Sequence, residues 1–356
     1  VVGKKAVKKS FMIRHVAHIV WGFRLGGIET MLVNIMNEQV VCGIDVTLII
    51  INNIIDEQLT SKIDSRVKIV YIGREAKSRN IYPIFKLNAA LLKANPTVIH
   101  CHSHTIIKYL LPTLHRRSIV TIHNTTVVKE RTHINKFSKV FVISNAVRSE
   151  LADNFGVESK VVYNGVDFSK IAMRTMPIER QKLNIVQVGR LTKQKGHYIS
   201  IETMAALREL NIHLDIIGDG ELREELEEKI SQAGLTDKIT LLGAKSQEYI
   251  FAHLKDYDLL IQPSVWEGFG LTAVEAMAAK VPVLASNIDG LGEILQNGKY
   301  GECFESGNVE QCRDKIIELY NAPYKAERLD AIYDYANANF NVKHTANRYL
   351  DLYAKI

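Results

Sequence analysis

Two glutamates eight positions apart, Glu267 and Glu275, are the residues of this chain best suited to chemistry. They lie in the run Pro263-Ser264-Val265-Trp266-Glu267-Gly268-Phe269-Gly270-Leu271-Thr272-Ala273-Val274-Glu275-Ala276-Met277-Ala278. A strand-like apolar run (257–261) precedes them, an alanine-rich helical run carries the second acid, and another apolar run (281–285) follows. Glu267 therefore falls in a loop at the carboxyl end of a strand, and Glu275 in the helix that leaves that loop. Ligands of open α/β sheets bind at this edge. Gly268 and Gly270 leave bare backbone beside a helix N-terminus, so the amides from Phe269 through Leu271 and Thr272 are available to an anion. Carboxylates there accept hydrogen bonds from sugar or ribose hydroxyls. The alternative is a pair of exposed acids on a turn and a solvated helix face. The apolar Val274, Ala276, Met277 and Ala278 around Glu275 count against it.

A second constellation is Gly189-Arg190-Leu191-Thr192-Lys193-Gln194-Lys195-Gly196, just past another apolar run. Arg190 sits beyond a strand end and Lys195 at an expected helix start, so two fixed cations and a helix N-terminus suit a diphosphate. The Gly-Lys-Ser/Thr order of a P-loop is missing. Taken alone, the segment reads equally as surface cations in a turn. Gly218-Asp219-Gly220-Glu221 follows the next strand, but Arg223 stands where a dinucleotide fingerprint needs its third glycine. It reads either as backbone lining a pocket at Gly218 or as a plain tight turn.

Near the amino end, Gly26 and Gly27 in a loop let backbone approach a ligand closely, with Glu29 or Thr30 supporting the helix that follows. His100, His102 and His104 alternate at an expected strand end, which would put them on one face. No carboxylate or further ligand stands at a fixed spacing, so a structural or edge role is expected and no metal. His123 ends another strand and is expected to point into a cleft; a satisfied core histidine is the alternative.

The elements that position these residues alternate almost throughout. Strands are expected at 16–21, 46–51, 67–71, 97–101, 119–122, 139–143 and 160–163, with helices at about 28–40 and 145–154. A second series follows Asn164-Gly165-Val166-Asp167, with strands at 184–188, 213–217, 239–242, 257–261 and 282–285. Its helices are expected at about 196–210, 221–233 and 270–279. The boundary is a polar stretch around 165–182, and 309–356 reads as three helices. This alternation predicts an α/β chain of two doubly wound parallel-sheet, Rossmann-like domains facing a central cleft.

Composition agrees. A chain of 356 residues is too long for one core. No apolar run is long enough to span a bilayer. The lysine-rich start lacks the apolar segment of a secretory signal. The four scattered cysteines, Cys42, Cys101, Cys303 and Cys312, suit a reducing, cytoplasmic compartment. Residues 1–166 hold 23 Lys+Arg against 11 Asp+Glu, a net of +12, and the remainder has a net of −6. The basic half suits anionic lipid or an anionic acceptor; simple solubility is the alternative. No nucleic-acid motif or aromatic ladder is present, so no nucleic-acid partner is expected.

In order and spacing these motifs resemble the retaining GT-B glycosyltransferases of family 4, of the bacterial capsule and exopolysaccharide type. The resemblance rests on the glutamate pair, the Gly-Arg-Leu…Lys-Gly segment at 189–196, Ile-Gly-Asp-Gly at 217–220, Gly-Gly-Ile-Glu-Thr at 26–30 and Asn-Gly-Val-Asp at 164–167. It implies an N-terminal acceptor-side domain over 1–166, rejoined by a final helix at about 342–356, and a C-terminal donor domain over 167–341. It implies a nucleotide-diphosphate sugar as donor, a UDP-sugar by preference, and a glycan or lipid-diphosphate-linked sugar as acceptor. Arg190 and Lys195 would hold the diphosphate and Glu275 the ribose. Glu267 would hold the donor sugar, and His123 would stand near the transferring sugar. Gly26 and Gly27 would close over the phosphates. No metal or other cofactor would be needed, and the location would be cytoplasmic, at the inner face of the membrane if the basic half docks there. A nucleotide-sugar epimerase on the same scaffold and a non-catalytic nucleotide-sugar-binding protein are the competing readings. A dehydrogenase lacks its fingerprint.

Overall fold

A computed structural model of the chain describes residues 13–24, 26–76, 78–123, 131–175 and 182–356. Most of the lysine-rich start, Leu25 of the first glycine loop, the residues after His123 and part of the expected boundary lie outside them. The chain divides into two compact units. The first takes in the chain up to Ile143, then Val147–Gly165 and Val342–Ile356; the second takes in Ser144–Ala146 and Val166–Asn341.

The first unit is built on seven strands: β1 (His15–Val20), β2 (Asp45–Asn52), β3 (Lys68–Arg74), β4 (Val98–Cys101), β5 (Ser118–Ile122), β6 (Lys139–Val142) and β7 (Lys160–Val161). They lie in the order β3-β2-β1-β4-β5-β6-β7, every pairing parallel. β2 reads Asp-Val-Thr-Leu-Ile-Ile-Ile-Asn, with Val46 to Ile51 all buried, as a strand covered on both faces must be. Helices α1 (Gly27–Val41), α2 (Glu57–Thr60), α3 (Tyr82–Ala94), α4 (Arg131–Ile134) and α5 (Asn145–Phe155) connect the strands.

The second unit repeats the plan with β8 (Leu183–Val188), β9 (Ile212–Ile217), β10 (Ile239–Gly243), β11 (Leu259–Gln262), β12 (Val283–Ser286) and β13 (Glu302–Phe304). Their order is β10-β9-β8-β11-β12-β13, again all parallel. Its helices are α6 (His197–Ala206), α7 (Arg223–Gln232), α8 (Gln247–His253), α9 (Leu271–Ala278), α10 (Asp289–Leu295), α11 (Val309–Asn321) and α12 (Ala326–Phe340). Leu214, Ile216, Leu226, Ile261, Leu284 and Ile316 centre its core. β13, α8 and α10 are additions to the elements expected from sequence.

In each sheet the order reverses once, between β1 and β4 and between β8 and β11. Loops leaving neighbouring strands diverge there and open a crevice at the carboxyl edge. The last helix, α13 (Val342–Tyr353), belongs to the first unit. Its buried Val342, Tyr349, Leu352 and Tyr353 join Met31 and Ile35 of α1 and Val16, Val98, Ile119 and Phe141 of the sheet in one apolar cluster. Gly165 is needed for this return: a Cβ there would stand 2.5 Å from Val342 Cα and from Thr345 Oγ1. Thr345 donates to the Tyr163 carbonyl at 3.0 Å.

Candidate functional site

In the second unit, β8 and β11 pair side by side at the switch point, Ile185 opposite Leu259 and Val186 opposite Leu260. The loop after β8 carries Arg190 and Lys195, and the loop after β11 carries Glu267. The two loops are stitched together: Val265 N–H donates to the Gln194 carbonyl at 2.9 Å, and Gln194 Nε2 donates to the Trp266 carbonyl at 3.0 Å. Gly196 has φ +63°, and a Cβ there would meet the Pro263 carbonyl oxygen at 1.9 Å. Only glycine permits both that backbone and that approach. Gln187 of β8 donates from Nε2 to the Lys195 carbonyl at 2.9 Å. So anchored, Lys195 Nζ forms an ion pair with Glu267 Oε2, both side chains largely shielded from water. Gln262 Nε2 approaches the same carboxylate oxygen at 3.5 Å.

One detail of the expected arrangement is corrected. Lys193–Lys195 is a 3-10 turn and α6 begins at His197, so Lys195 stands before the helix instead of starting it. The left-handed Gly196 between them interrupts the helical path. Arg190 is exposed, and its guanidinium has no partner among the described residues; its carbonyl oxygen lies 3.0 Å from His197 Nε2.

The Gly218 turn braces this loop. Gly218 has φ +153°, and a Cβ there would stand 1.9 Å from the Gly189 carbonyl oxygen. Leu191 N–H donates to the Asp219 carbonyl at 3.0 Å, and Leu222 N–H to the Leu191 carbonyl at 3.1 Å. The turn is thus a close backbone junction between the loops after β8 and β9.

Beyond Glu267, Gly268 is partly exposed and Gly270, at φ +101°, caps α9, whose first turn with Leu271 and Thr272 holds no acid to compete with an incoming anion. Phe269 is buried edge-on against Phe340, ring centroids 5.7 Å apart, which fixes the turn. Glu275 sits mid-helix with Ala273, Val274, Ala276 and Met277 buried about it. Burial pushes its carboxyl up to about 8, against a hydrogen bond from Gln247 that pulls it down. At neutral pH this acid is mostly protonated, and donors brought to it by a ligand favour its charged form.

In the first unit, Gly26 is the extended cap of α1 and Gly27 its first residue, both at the carboxyl edge beside the switch point of β1 and β4. Glu29 Oε2 folds back to 2.8 Å from where a Gly26 Cβ would be. His123, just past β5, joins a histidine cluster with His18 of β1, His100 of β4 and His102. His104 does not belong to the row: β4 ends at Cys101 and His104 opens a 3-10 helix, so the alternation breaks. His18 takes its place, because the sheet register sets it opposite His100. Ligand atoms of His18, His100 and His102 lie within 4.8 Å of one another, a spacing open to a metal ion. All six of their ring nitrogens nevertheless have protein partners: Gln39, Tyr353, Thr121, His123 and one another. Sequence reading missed His18, Gln39 and the two tyrosines. A histidine inside an otherwise apolar β1 was the available signal.

Two parallel sheets with paired switch points, and a cation–carboxylate pair with glycine-lined loops at the second of them, define the glycosyltransferase class of the GT-B fold. The pattern described as Glycosyltransferase Family 4 matches residues 25–170, and that described as Glycosyl transferases group 1 matches residues 170–337. The chain belongs to the family 4 glycosyltransferases. A glycosyltransferase of Methanocaldococcus jannaschii, MJ1178, is 33% identical over 184 residues, covering 51% of this chain and 50% of that relative. The chain thus spans about half the length of that archaeal relative. A 41.2 kDa protein of the Klebsiella pneumoniae cps region is 27% identical, covering 71% of this chain and 69% of its own. The structure of Anabaena HepE in complex with UDP-glucose shares the fold, with a TM-score of 0.78 at 17% identity over 96% of this chain and all of that one.

Proposed function

We propose that this protein transfers a sugar from a nucleotide-diphosphate donor, a UDP-sugar, to a glycan or lipid-linked sugar during synthesis of a surface polysaccharide, with retention of anomeric configuration. The observation that carries the reading is the Lys195–Glu267 pair at the β8–β11 switch point. Lys195 and the exposed Arg190 hold the diphosphate and neutralise it as the glycosidic bond breaks, taking the place of a metal. With the diphosphate on Lys195, Glu267 is left to accept from hydroxyls of the donor sugar. The α9 amides add to the phosphate grip, Glu275 takes the ribose, and His123 serves the transferring sugar. The anomeric carbon loses its bond to the phosphate oxygen and gains one to the acceptor oxygen on the same face. The acceptor proton passes to the departing phosphate, and no protein nucleophile takes part. The capsule-region relative and the UDP-glucose complex support the choice of acceptor class and base.

A second observation bears on where this happens. α3 buries Pro83, Leu87 and Leu91 but leaves Tyr82 69%, Phe85 66% and Leu92 52% exposed, beside Ile81 at 62%. Lys86 and Lys93 are exposed on the same helix. An exposed apolar stripe flanked by lysines suits an anionic membrane surface, and we propose that the enzyme docks there. No helix among the described residues is long and apolar enough to cross a membrane.

The test is a calorimetric panel of UDP, GDP and ADP with their sugars, without metal. Submillimolar binding of one nucleotide, lost in Glu275→Ala, is expected. Binding of none, or binding indifferent to Glu275→Ala, would remove the donor-site assignment.

A further inference from the structure

Three of the four histidines at the switch point of the first sheet form a directed row. Gln39 Oε1 lies 2.8 Å from His18 Nε2, His18 Nδ1 lies 3.0 Å from His102 Nε2, and His102 Nδ1 lies 3.4 Å from His123 Nε2. His123 Nδ1, at the end of the row, is out of water and has no partner among the described residues. A carbonyl oxygen cannot donate, so His18 must carry its proton on Nε2. A neutral imidazole has one N–H, which leaves His18 Nδ1 bare and able only to accept from His102 Nε2. The same logic passes the next proton to His123 Nε2. We propose that Gln39, His18 and His102 are positioning residues that lock His123 in the Nε2–H tautomer, so that its bare Nδ1 is offered as a hydrogen-bond acceptor.

Neutrality holds along the row. Burial lowers His18 and His123 to about 4, and burial with the neighbouring imidazoles holds His102 and His100 well below the ordinary histidine value. The direction of the row follows from its surroundings. The nitrogen end of the Gln39 amide faces the Tyr353 hydroxyl, though no partner reaches hydrogen-bond distance. That hydroxyl lies 2.6 Å from His100 Nδ1, and His100 Nε2 lies 2.7 Å from Thr121 Oγ1. Reversing the amide reverses every donor and ends the row on a buried His123 N–H with no acceptor. The observed direction also gives the three rings of the row the Nε2–H form, which is the more stable one for a free neutral imidazole. His100 packs at a tilt 4.3 Å from His102 and 5.1 Å from His18, centroid to centroid, and keeps the rings from turning.

An acceptor at Nδ1 selects for a hydroxyl donor. That consequence rests on the proposed place of His123 beside the transferring sugar, but the tautomer itself does not and is read without any substrate. The experiment is two-bond proton–nitrogen correlation NMR of the full chain labelled with nitrogen-15 histidine, the His123 signal being assigned by its loss in His123→Gln. In the wild-type protein the Nε2–H form of His123 is expected to exceed the Nδ1–H form by about fivefold or more, since one hydrogen bond of the row contributes about 1 kcal/mol. Gln39→Met removes the terminal acceptor and is expected to bring the two forms to comparable populations; Gln39→Glu keeps an acceptor oxygen and restores the bias. If Gln39→Met does not fold, His102→Leu cuts the row at a half-buried position and should give the same mixture. An Nδ1–H His123 in the wild type, or a population unmoved by cutting the row, would overturn the proposal. A locked tautomer in a protein with no glycosyl transfer would leave the proposal standing and remove the function.

Discussion

Lys195 and Glu267, 72 residues apart in sequence, meet as an ion pair because β8 and β11 are neighbours at the point where the second sheet reverses order. Each holds the other in place, and neither side chain is fully cut off from water. Lys195→Ala is expected to lower kcat by 10²–10³-fold, on the order of 2.7–4 kcal/mol by analogy with the loss of an oxyanion donor. The thermal midpoint should fall far less than that loss of rate implies. Arg190→Ala, at an exposed residue, should slow transfer with no change in thermal midpoint. Steady-state transfer and differential scanning calorimetry on the same samples check both. Normal turnover in either variant would remove the diphosphate role.

Glu275 sets a pH dependence of definite sign. Its folded value of about 8 lies above the ordinary 4.5, so the folded chain holds a proton that the unfolded chain has lost. The stability this contributes is complete below 4.5 and is lost as pH rises through about 8. Glu275→Gln should match the wild type near pH 5 and exceed it near pH 8 by about 1 kcal/mol or more. Ribose donors favour the charged carboxylate, so nucleotide binding at neutral pH should release a proton. Calorimetry in two buffers of different ionisation enthalpy measures that release, and none is expected from Glu275→Gln.

The buried histidines give the first unit the opposite slope. Their folded values lie below the ordinary 6.5, so the stability they contribute is present above 6.5 and lost as pH falls toward about 4. Each adds up to about 1.4 kcal/mol per pH unit in that window. Hydrogen exchange from pH 7 to 5 should show protection falling in β1, β4 and β5 before it falls in β8 and β11. Uniform loss would mean that these imidazoles do not resist protonation.

Gly218 and Gly234 are both at positive φ but differ in surroundings. A Cβ at Gly218 would strike the Gly189 carbonyl, whereas nothing lies within 4 Å at Gly234. Gly234→Ala should cost about 1 kcal/mol, the backbone preference alone. Gly218→Ala should cost several kcal/mol, or shift the loop that carries Lys195 and abolish nucleotide binding. Denaturant unfolding and nucleotide titration distinguish these outcomes.

The α3 face makes a separate prediction. Wild-type protein should sediment with vesicles containing phosphatidylglycerol at low salt and release as salt screens the lysines. Phe85→Glu, on an exposed position, should abolish sedimentation while leaving the thermal midpoint unchanged. Wild-type protein that ignores such vesicles would end the membrane proposal.

Much of this architecture was legible because parallel strands announce themselves as short apolar runs between glycine-bearing turns. The runs at 46–51 and 184–188 became β2 and β8 almost to the residue. β13 was not legible: Glu302–Phe304 is three residues long and begins with a charge. The Lys195–Glu267 pair was approached correctly as two loops, but their contact depends on strand order, which no local window contains. The histidine row was hidden more deeply. His18 lies inside β1, and His102 and His123 lie just past β4 and β5, so only register aligns them. The error at Lys195 came from extending a helical pattern through Gly196, whose positive φ is imposed by Pro263, a residue distant in sequence.

The return of α13 to the first unit has a consequence for how the chain is made. The element that seals the first unit's sheet, with Tyr349 and Tyr353 against Phe141 and His100, is made only after the whole of the second unit. The first unit therefore waits, its apolar face uncovered, while the second unit is translated and can fold. A chain stopped short of Val342 would strand that face for good, and a separate peptide carrying residues 342–356 is the natural agent to restore it.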